Sequence, residues 1–369
     1  MPNSLRDHPF LRPVSLLAGL LTLAAFACQL SPRLASIEGR ASPVAELSAT
    51  QPVESRYAVF FTDPASPDSK SLRGGPDKYL AEAIRSARAS VDVAVLQLNL
   101  WSIRDALLEA HRKGVRVRLV TESDYLDERE IQQLIEAGVP VLGDRREGLM
   151  HNKFAVIDRQ DVWTGSMNFT INEVYRNNNN LIHIRSPDLA QNYMTEFEEM
   201  FNKDQFGPGS PANTPNPTLS VGSARLDNCF SPDDGCTARL VRAIQKAQQS
   251  IYFMAYSFTS DELAEALLER AREGVLVAGV MEASQVSSNS GTDYERFRSA
   301  GLDVRLDSNP KQMHHKVFLI DGQIVSTGSF NFTYSAETRN DENLLIIDEP
   351  QIAELYLKEF ERVFNQAVK

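Results

Sequence analysis

The chain has 369 residues, of which 42% are hydrophobic and 24% charged, with a formal net charge of −11. The length and apolar content are ample for two domains with cores of their own. The acidic balance excludes a general attraction to polyanions, while leaving room for a local basic groove.

At the start of the chain Arg6 and Arg12 precede an apolar run, VSLLAGLLTLAAFAC, that is short for a bilayer span and ends in small residues. Residues 1–28 therefore read as a secretory signal. Cleavage before Cys28 would leave a lipid-modifiable cysteine and a membrane attachment, but Phe26 stands where lipoprotein signals usually carry a small residue. Lipoprotein and plain secretion both stay open, with a retained anchor helix as a third reading. Each of them places the domains outside the cytoplasm, in the periplasm, on the cell envelope or in the medium. Residues 29–56 lack periodicity, are rich in Ser, Ala and Pro, and read as a tether.

From residue 57 the pattern alternates. VDVAVLQL and VRVRLV are β-branched runs, and between them SIRDALLEAHRKG carries Ile103, Leu107 and Ala110 at helical spacing, Ser102 and Asp105 as an N-terminal cap and Gly114 as a stop. Strand, helix, strand, helix predicts an α/β fold with a mainly parallel central sheet. The first domain closes near residue 206, a polar linker fills 207–224, and a second domain occupies 225–369.

The second domain repeats the first. MHNKFAVIDRQDVWTGSMNFT at 150–170 returns as MHHKVFLIDGQIVSTGSFNFT at 313–333, so that His151, Lys153, Asp158, Gly165, Ser166 and Asn168 recur as His314, Lys316, Asp321, Gly328, Ser329 and Asn331, 163 positions later. Upstream, residues 83–123 match 243–283 at an offset of 160, and downstream NNNNLIHI at 177 pairs with NDENLLII at 340. This is an internal duplication. With Cys28 in the signal region, Cys229 and Cys236 remain and are expected to form a small-loop disulfide, since their spacing without a second pair suits zinc poorly.

Histidine and lysine two apart on a strand share a face, as do the serine and asparagine of the following GSxN. Imidazole can act as nucleophile, base or acid near neutral pH, and an ammonium with hydroxyl and amide donors suits a phosphate oxyanion. Two copies about a pseudo-dyad would set two histidines on opposite sides of one phosphorus. One would attack in line and the other would protonate the leaving oxygen. The lysines would neutralise charge, so the scheme calls for no metal and no cofactor.

HxKxxxxD followed by GSxN, present twice, resembles the phospholipase D superfamily, and the stretch HHKVFLIDGQIVSTGSFNFTYSAETRNDENLLII is similar to its short bacterial endonucleases and cardiolipin-hydrolase-like members. The resemblance implies two repeated α/β/α domains packed about a pseudo-two-fold axis, and a phosphodiesterase working through a covalent phosphohistidine. It implies His151 and His314 as nucleophile and general acid, in an order left open. Lys153, Lys316, Asn168 and Asn331 would bind phosphate with Ser166 and Ser329 assisting, and Asp158 and Asp321, on the opposite face, would be structural. Glu342, 28 residues after His314, stands where such members carry a carboxylate that orients a histidine, whereas 28 after His151 stands Asn179. The two histidines are thus expected to differ.

The other histidines, His8, His111, His183 and His315, earn no role, and Trp101 and Trp163 read as core or pocket rim. Three functions stay in play. A phospholipid phosphodiesterase releasing phosphatidic acid is preferred, on acidic charge and a possible membrane attachment. A secreted nuclease acting on DNA or RNA by the same chemistry is the alternative, and a non-catalytic phosphate-binding module is the third. The internal pseudo-dyad makes a monomer sufficient.

Overall fold

The computed structural model describes residues 56–368; the signal reading, Cys28 and the tether up to residue 55 lie outside the described residues. The first sheet takes strands β1 (Tyr57–Phe61), β2 (Ser90–Val95), β3 (Arg116–Thr121), β4 (Val141–Gly143), β5 (Lys153–Ile157), β6 (Asp161–Gly165) and β7 (Asn180–Arg185), in the order β1-β7-β6-β5-β2-β3-β4. The second takes β8 (Thr218–Val221), β9 (Ala224–Ser231), β10 (Ser250–Ala255), β11 (Leu276–Met281), β12 (Asp303–Leu306), β13 (Lys316–Ile320), β14 (Ile324–Gly328) and β15 (Glu342–Asp348), in the order β12-β11-β10-β13-β14-β15-β9-β8.

Both are α/β layers, but the expectation of mainly parallel sheets is corrected. Only β2–β3–β4 and β10–β11–β12 run parallel; every other pairing is antiparallel. The reason is the connections. Parallel neighbours need a crossover, which the helices Trp101–Arg112 and Asp261–Arg272 supply, whereas β5 and β6 are joined by a tight turn at Asp158 and Arg159 that can only make a hairpin.

Two local expectations also change. Residues 218–221, read as the end of the linker, form an edge strand in which Leu219 and Val221 alternate inward against exposed Thr218 and Ser220. Ser102 does not cap its helix, which starts at Trp101 after an uncapped Leu100; its hydroxyl donates to Asp77 Oδ2 at 2.5 Å.

Among the described residues the buried apolar side chains sort into three clusters. One lies under the outer helices of the first repeat, around Leu80, Ile103 and Leu107, and one under those of the second, around Leu240, Leu263 and Leu267. The third lies between the two sheets, where the long helices Pro187–Lys203 and Pro350–Gln366 deliver Tyr193, Phe197, Tyr356 and Phe360. Each fully buried Leu or Phe there contributes about 1.5–3 kcal/mol. Cys229 and Cys236 are disulfide-bonded between β9 and the helix Cys236–Ile244.

Polar groups register the two repeats against each other. Asn343 accepts from Thr164 Oγ1 (2.8 Å) and Tyr193 Oη (3.2 Å) and donates to Asn152 Oδ1 (3.0 Å), all in the first repeat. Its counterpart Asn180 accepts from Thr327 Oγ1 (2.7 Å) and Tyr356 Oη (3.1 Å) and lies 3.2 Å from His315 Nδ1, all in the second. Both asparagines are fully buried. Such satisfied buried networks fix one arrangement, because a shifted interface would strand every member.

Candidate active site

His151 and His314 stand at the head of β5 and β13, and each is tied by its own backbone to the opposite repeat. His151 N donates to Asp341 O at 3.0 Å and His314 N to Asn178 O at 2.9 Å. The side chains cross the seam too. His151 Nδ1 lies 2.7 Å from Glu342 Oε2, and His314 Nδ1 lies 3.1 Å from Glu173 Oε2 and 3.1 Å from Asn179 Oδ1. A carboxylate acceptor assigns a proton to Nδ1 in both rings and leaves each Nε2 for the reaction, as a lone pair in a neutral ring or as an N–H in an imidazolium.

Glu173 is the residue that sequence reasoning missed. It sits in the short helix Ile171–Tyr175, capped by the Thr170 hydroxyl on Glu173 N at 3.2 Å. Its aligned position in the second repeat is Ala336, just as Asn179 aligns with Glu342. The carboxylate has therefore moved six residues upstream in one copy, and both histidines keep an acid. Asn168 and Asn177 donate to Glu173 at 3.2 Å each, and Asn179 Nδ2 donates to the same carboxylate. The available signal was the Ala336/Glu173 mismatch beside the Glu342/Asn179 mismatch.

Lys153 and Lys316 are 1% exposed and donate to the carbonyls of His151 (2.7 Å) and His314 (3.0 Å). Burial lowers Lys153 to about 8 against the pull of Glu342 and Glu173. Lys316 falls further, to about 7, because the like charge of Lys153 adds to its burial. Burial takes His314 down to about 4, with Glu173 opposing and Lys316 reinforcing, and lowers His151 against the opposing pull of Glu342. Burial alone would raise the Glu173 carboxyl, but His314, Asn179 and Lys316 outweigh it and hold it below the usual carboxylate range. The bonds that each histidine makes across the seam, with Lys153 and Lys316 bearing on both rings, bring all four together at one place.

The remaining motif residues divide. Asn168 and Asn331 each keep a buried, unpartnered Oδ1. Ser166 Oγ donates to Asn179 Oδ1 at 2.8 Å and accepts from Asn180 N at 3.1 Å, and Ser329 Oγ accepts from Asn343 N at 2.9 Å. The serines thus brace the asparagine corner. The preceding glycines are required: at Gly165 and Gly328, both at φ +144°, a Cβ would meet the carbonyl oxygens of Asn180 and Asn343 at 2.4 and 2.2 Å. Asp158 accepts the amides of Arg88, Ala89 and Ser90, and Asp321 those of Gln248, Gln249 and Ser250, both far from the histidines and structural. One aromatic also enters the site. Tyr256 meets His314 edge-on at 4.4 Å between centroids and lies under the Lys316 ammonium at 4.8 Å; the first repeat has Leu96 there.

His315 points away, bonded to Glu359 at 2.9 Å, and His183 pairs with Asp161 at 2.8 Å and stacks on the buried Trp163. Trp101 is 45% exposed at a helix start, not core.

A family profile described as "Cardiolipin synthase, PLD-like domain" matches residues 80–201 and again 240–364. The chain belongs to the phospholipase D superfamily. It is similar to a protein named Phospholipase D from Rickettsia prowazekii (strain Madrid E), 38% identical over 138 residues, covering 37% of this chain and 67% of that one. It is also similar to a Mitochondrial cardiolipin hydrolase from Xenopus laevis, 38% identical over 159 residues, covering 42% of this chain and 73% of that one. Each match has about the length of one repeat. At the level of fold alone, the crystal structure of phosphatidylserine synthase from Haemophilus influenzae Rd KW20 superposes with a TM-score of 0.62 at 16% identity, over 84% of this chain and 86% of that one. This phospholipase D superfamily member is an enzyme of phosphodiester chemistry, and its doubled motif forms one site across the seam.

Proposed function

We propose that this enzyme hydrolyses a phospholipid phosphodiester to phosphatidic acid and the head-group alcohol through a phosphohistidine. The observation that carries the mechanism is the reciprocal arrangement in which each histidine takes its Nδ1 acceptor from the other repeat, leaving two Nε2 atoms beside two buried ammonium groups. In the first step the neutral Nε2 of one histidine attacks phosphorus, the P–O bond to the head group breaks, and the second histidine, which enters as an imidazolium, gives its Nε2 proton to the departing oxygen. In the second step that histidine, now neutral, takes a proton from water, the water oxygen attacks phosphorus, the P–N bond breaks, and one neutral imidazole and one imidazolium are restored. Lys153 and Lys316 offset the charge on the nonbridging oxygens, with Asn168 and Asn331 beside them. Glu342 and Glu173 hold the rings and stabilise whichever imidazolium forms.

The lipid substrate is supported by the relatives named phospholipase D and cardiolipin hydrolase and by the net charge of −11, which works against tracking along nucleic acid. We also propose export, which the Cys229–Cys236 disulfide supports, and action as a monomer, since one chain holds the complete site. The test is a parallel assay, with EDTA present, on phosphatidylcholine or diphosphatidylglycerol vesicles and on single- and double-stranded nucleic acid. Head-group release with nucleic acid untouched is the expected result; cleaved nucleic acid with intact lipid assigns the same chemistry to a nuclease.

A further inference from the structure

The two ends of the catalytic seam began as copies and have diverged. At one end Arg146, from the first repeat, donates to Arg339 O (2.6 Å), to Leu149 O (3.3 Å) and to the Asp341 carboxylate, and Asp341 also accepts from Gly207 N at 2.6 Å. There is no room to spare: a Cβ on Gly207 or on Gly148 would meet the Arg146 guanidinium at 2.3 or 2.2 Å. The end is closed by a part-buried ion pair and the start of the inter-repeat segment.

At the other end the aligned residues are Asn309 for Arg146, Asn178 for Asp341 and Lys311 for Gly148. Asn309 makes the corresponding bonds, to Arg176 O (3.1 Å), Gln312 O (3.2 Å) and Asn178 Oδ1 (2.6 Å). The shorter neutral pair leaves a cavity of about 620 Å³. Lys70, Arg176, Lys311 and Arg362 line it, and no Asp or Glu does. Arg362 is paired with Glu359, but among the described residues neither Lys70 nor Lys311 has a side-chain hydrogen bond or ion pair, and Arg176 bonds only Asn172, at 2.9 Å. All three are exposed, and no carboxylate lines the cavity beside them, in a chain of net charge −11. Asn178, on the cavity wall, receives the backbone bond of His314 and adjoins Asn179, which touches the His314 ring.

We propose that this open end of the seam is an anion subsite for a second phosphate of the substrate, one glycerol unit away from the scissile diester. Resting on the phospholipid reading above, it would take the second phosphate of a two-phosphate lipid such as the one the cardiolipin hydrolase relative is named for; what the open end adds is the place of that phosphate and the side chains that hold it. It also gives a nearly symmetric site one preferred substrate direction, with the second phosphate toward Asn178 and Asn309 and away from Arg146.

Calorimetric titration of the full chain with glycerol 1,3-bisphosphate and with glycerol 3-phosphate tests this without turnover. The wild type should bind the bisphosphate at least tenfold more tightly, and Lys70→Ala/Arg176→Ala/Lys311→Ala should bring that ratio close to one. A second variant, Asn309→Arg/Asn178→Asp, transplants the plug from the closed end and should abolish the preference in the same way. Equal affinities in the wild type, a preference that survives in both variants, or a loss confined to binding of a single-stranded oligonucleotide would each overturn the proposal. The vesicle and nucleic-acid assay judges the phospholipid reading separately, because a protein that discriminates the bisphosphate yet cleaves only nucleic acid fails that reading and not the subsite.

Discussion

Glu173 Oε2 lies 3.1 Å from His314 Nδ1, and it does so from the repeat that has lost the carboxylate at the aligned position. The substitution of Asn179 for a carboxylate is thus offset by a carboxylate six residues upstream, and the site keeps an acid on each imidazole.

Glu173→Gln should therefore cost on the order of 10²–10⁴ in kcat, comparable to Glu342→Gln. Because Glu173 pulls the His314 pKa upward against burial, its removal should also move the His314 titration to lower pH, readable by nitrogen NMR. An unshifted His314 would make Glu173 a packing residue only.

His151→Ala and His314→Ala should each abolish turnover of an alkyl phosphodiester, by at least about a thousandfold, with the circular dichroism spectrum unchanged. Full activity in either variant would refute a shared site.

The lysines set a pH dependence. Both carry depressed pKa values, about 7 for Lys316 and about 8 for Lys153, so the free enzyme loses positive charge in the site as pH rises through that window. Bound phosphate favours the charged forms. The prediction is that kcat/KM falls above pH about 7, whereas kcat, which reports the complex, holds to higher pH. A kcat/KM profile flat from pH 6 to 9 would show that neither lysine titrates there.

Asn343→Ala would leave the Tyr193 hydroxyl and Asn152 Oδ1 without these partners, while Thr164 Oγ1 keeps Lys153 O at 3.1 Å. At about 1–3 kcal/mol for each buried group left bare, the loss should reach about 2 kcal/mol or more. Denaturant unfolding measures it directly, and a loss below about 1 kcal/mol would mean that water fills the gap.

The motif residues were legible because the duplication wrote each of them twice, and because a two-residue period on a strand fixes which side chains share a face. His315, assigned to the far side on that ground, bonds Glu359, whereas the two aspartates fall in the turns just past β5 and β13, where they accept backbone amides. What was not legible depends on distance in space. Glu173 and Glu342 act on histidines of the opposite copy, which no spacing within a copy reveals. Asn180 and Asn343 carry no signal in the spacing, yet they lock the seam. Sheet direction failed for a related reason: the β-branched runs were recognisable, but the turn at Asp158 reverses the chain where a crossover was expected.

The central claim is one site in which two histidines divide the work on one phosphorus. Its most direct test is rapid acid-free quenching of the wild type, His151→Ala and His314→Ala with a p-nitrophenyl phosphodiester, a leaving group that needs no proton, followed by intact-mass measurement. The account predicts one phosphoryl adduct per chain, on a histidine, that accumulates in one variant and is absent from the other. Adduct formation in both variants, or two adducts on one chain, would mean that each repeat works alone and would contradict it.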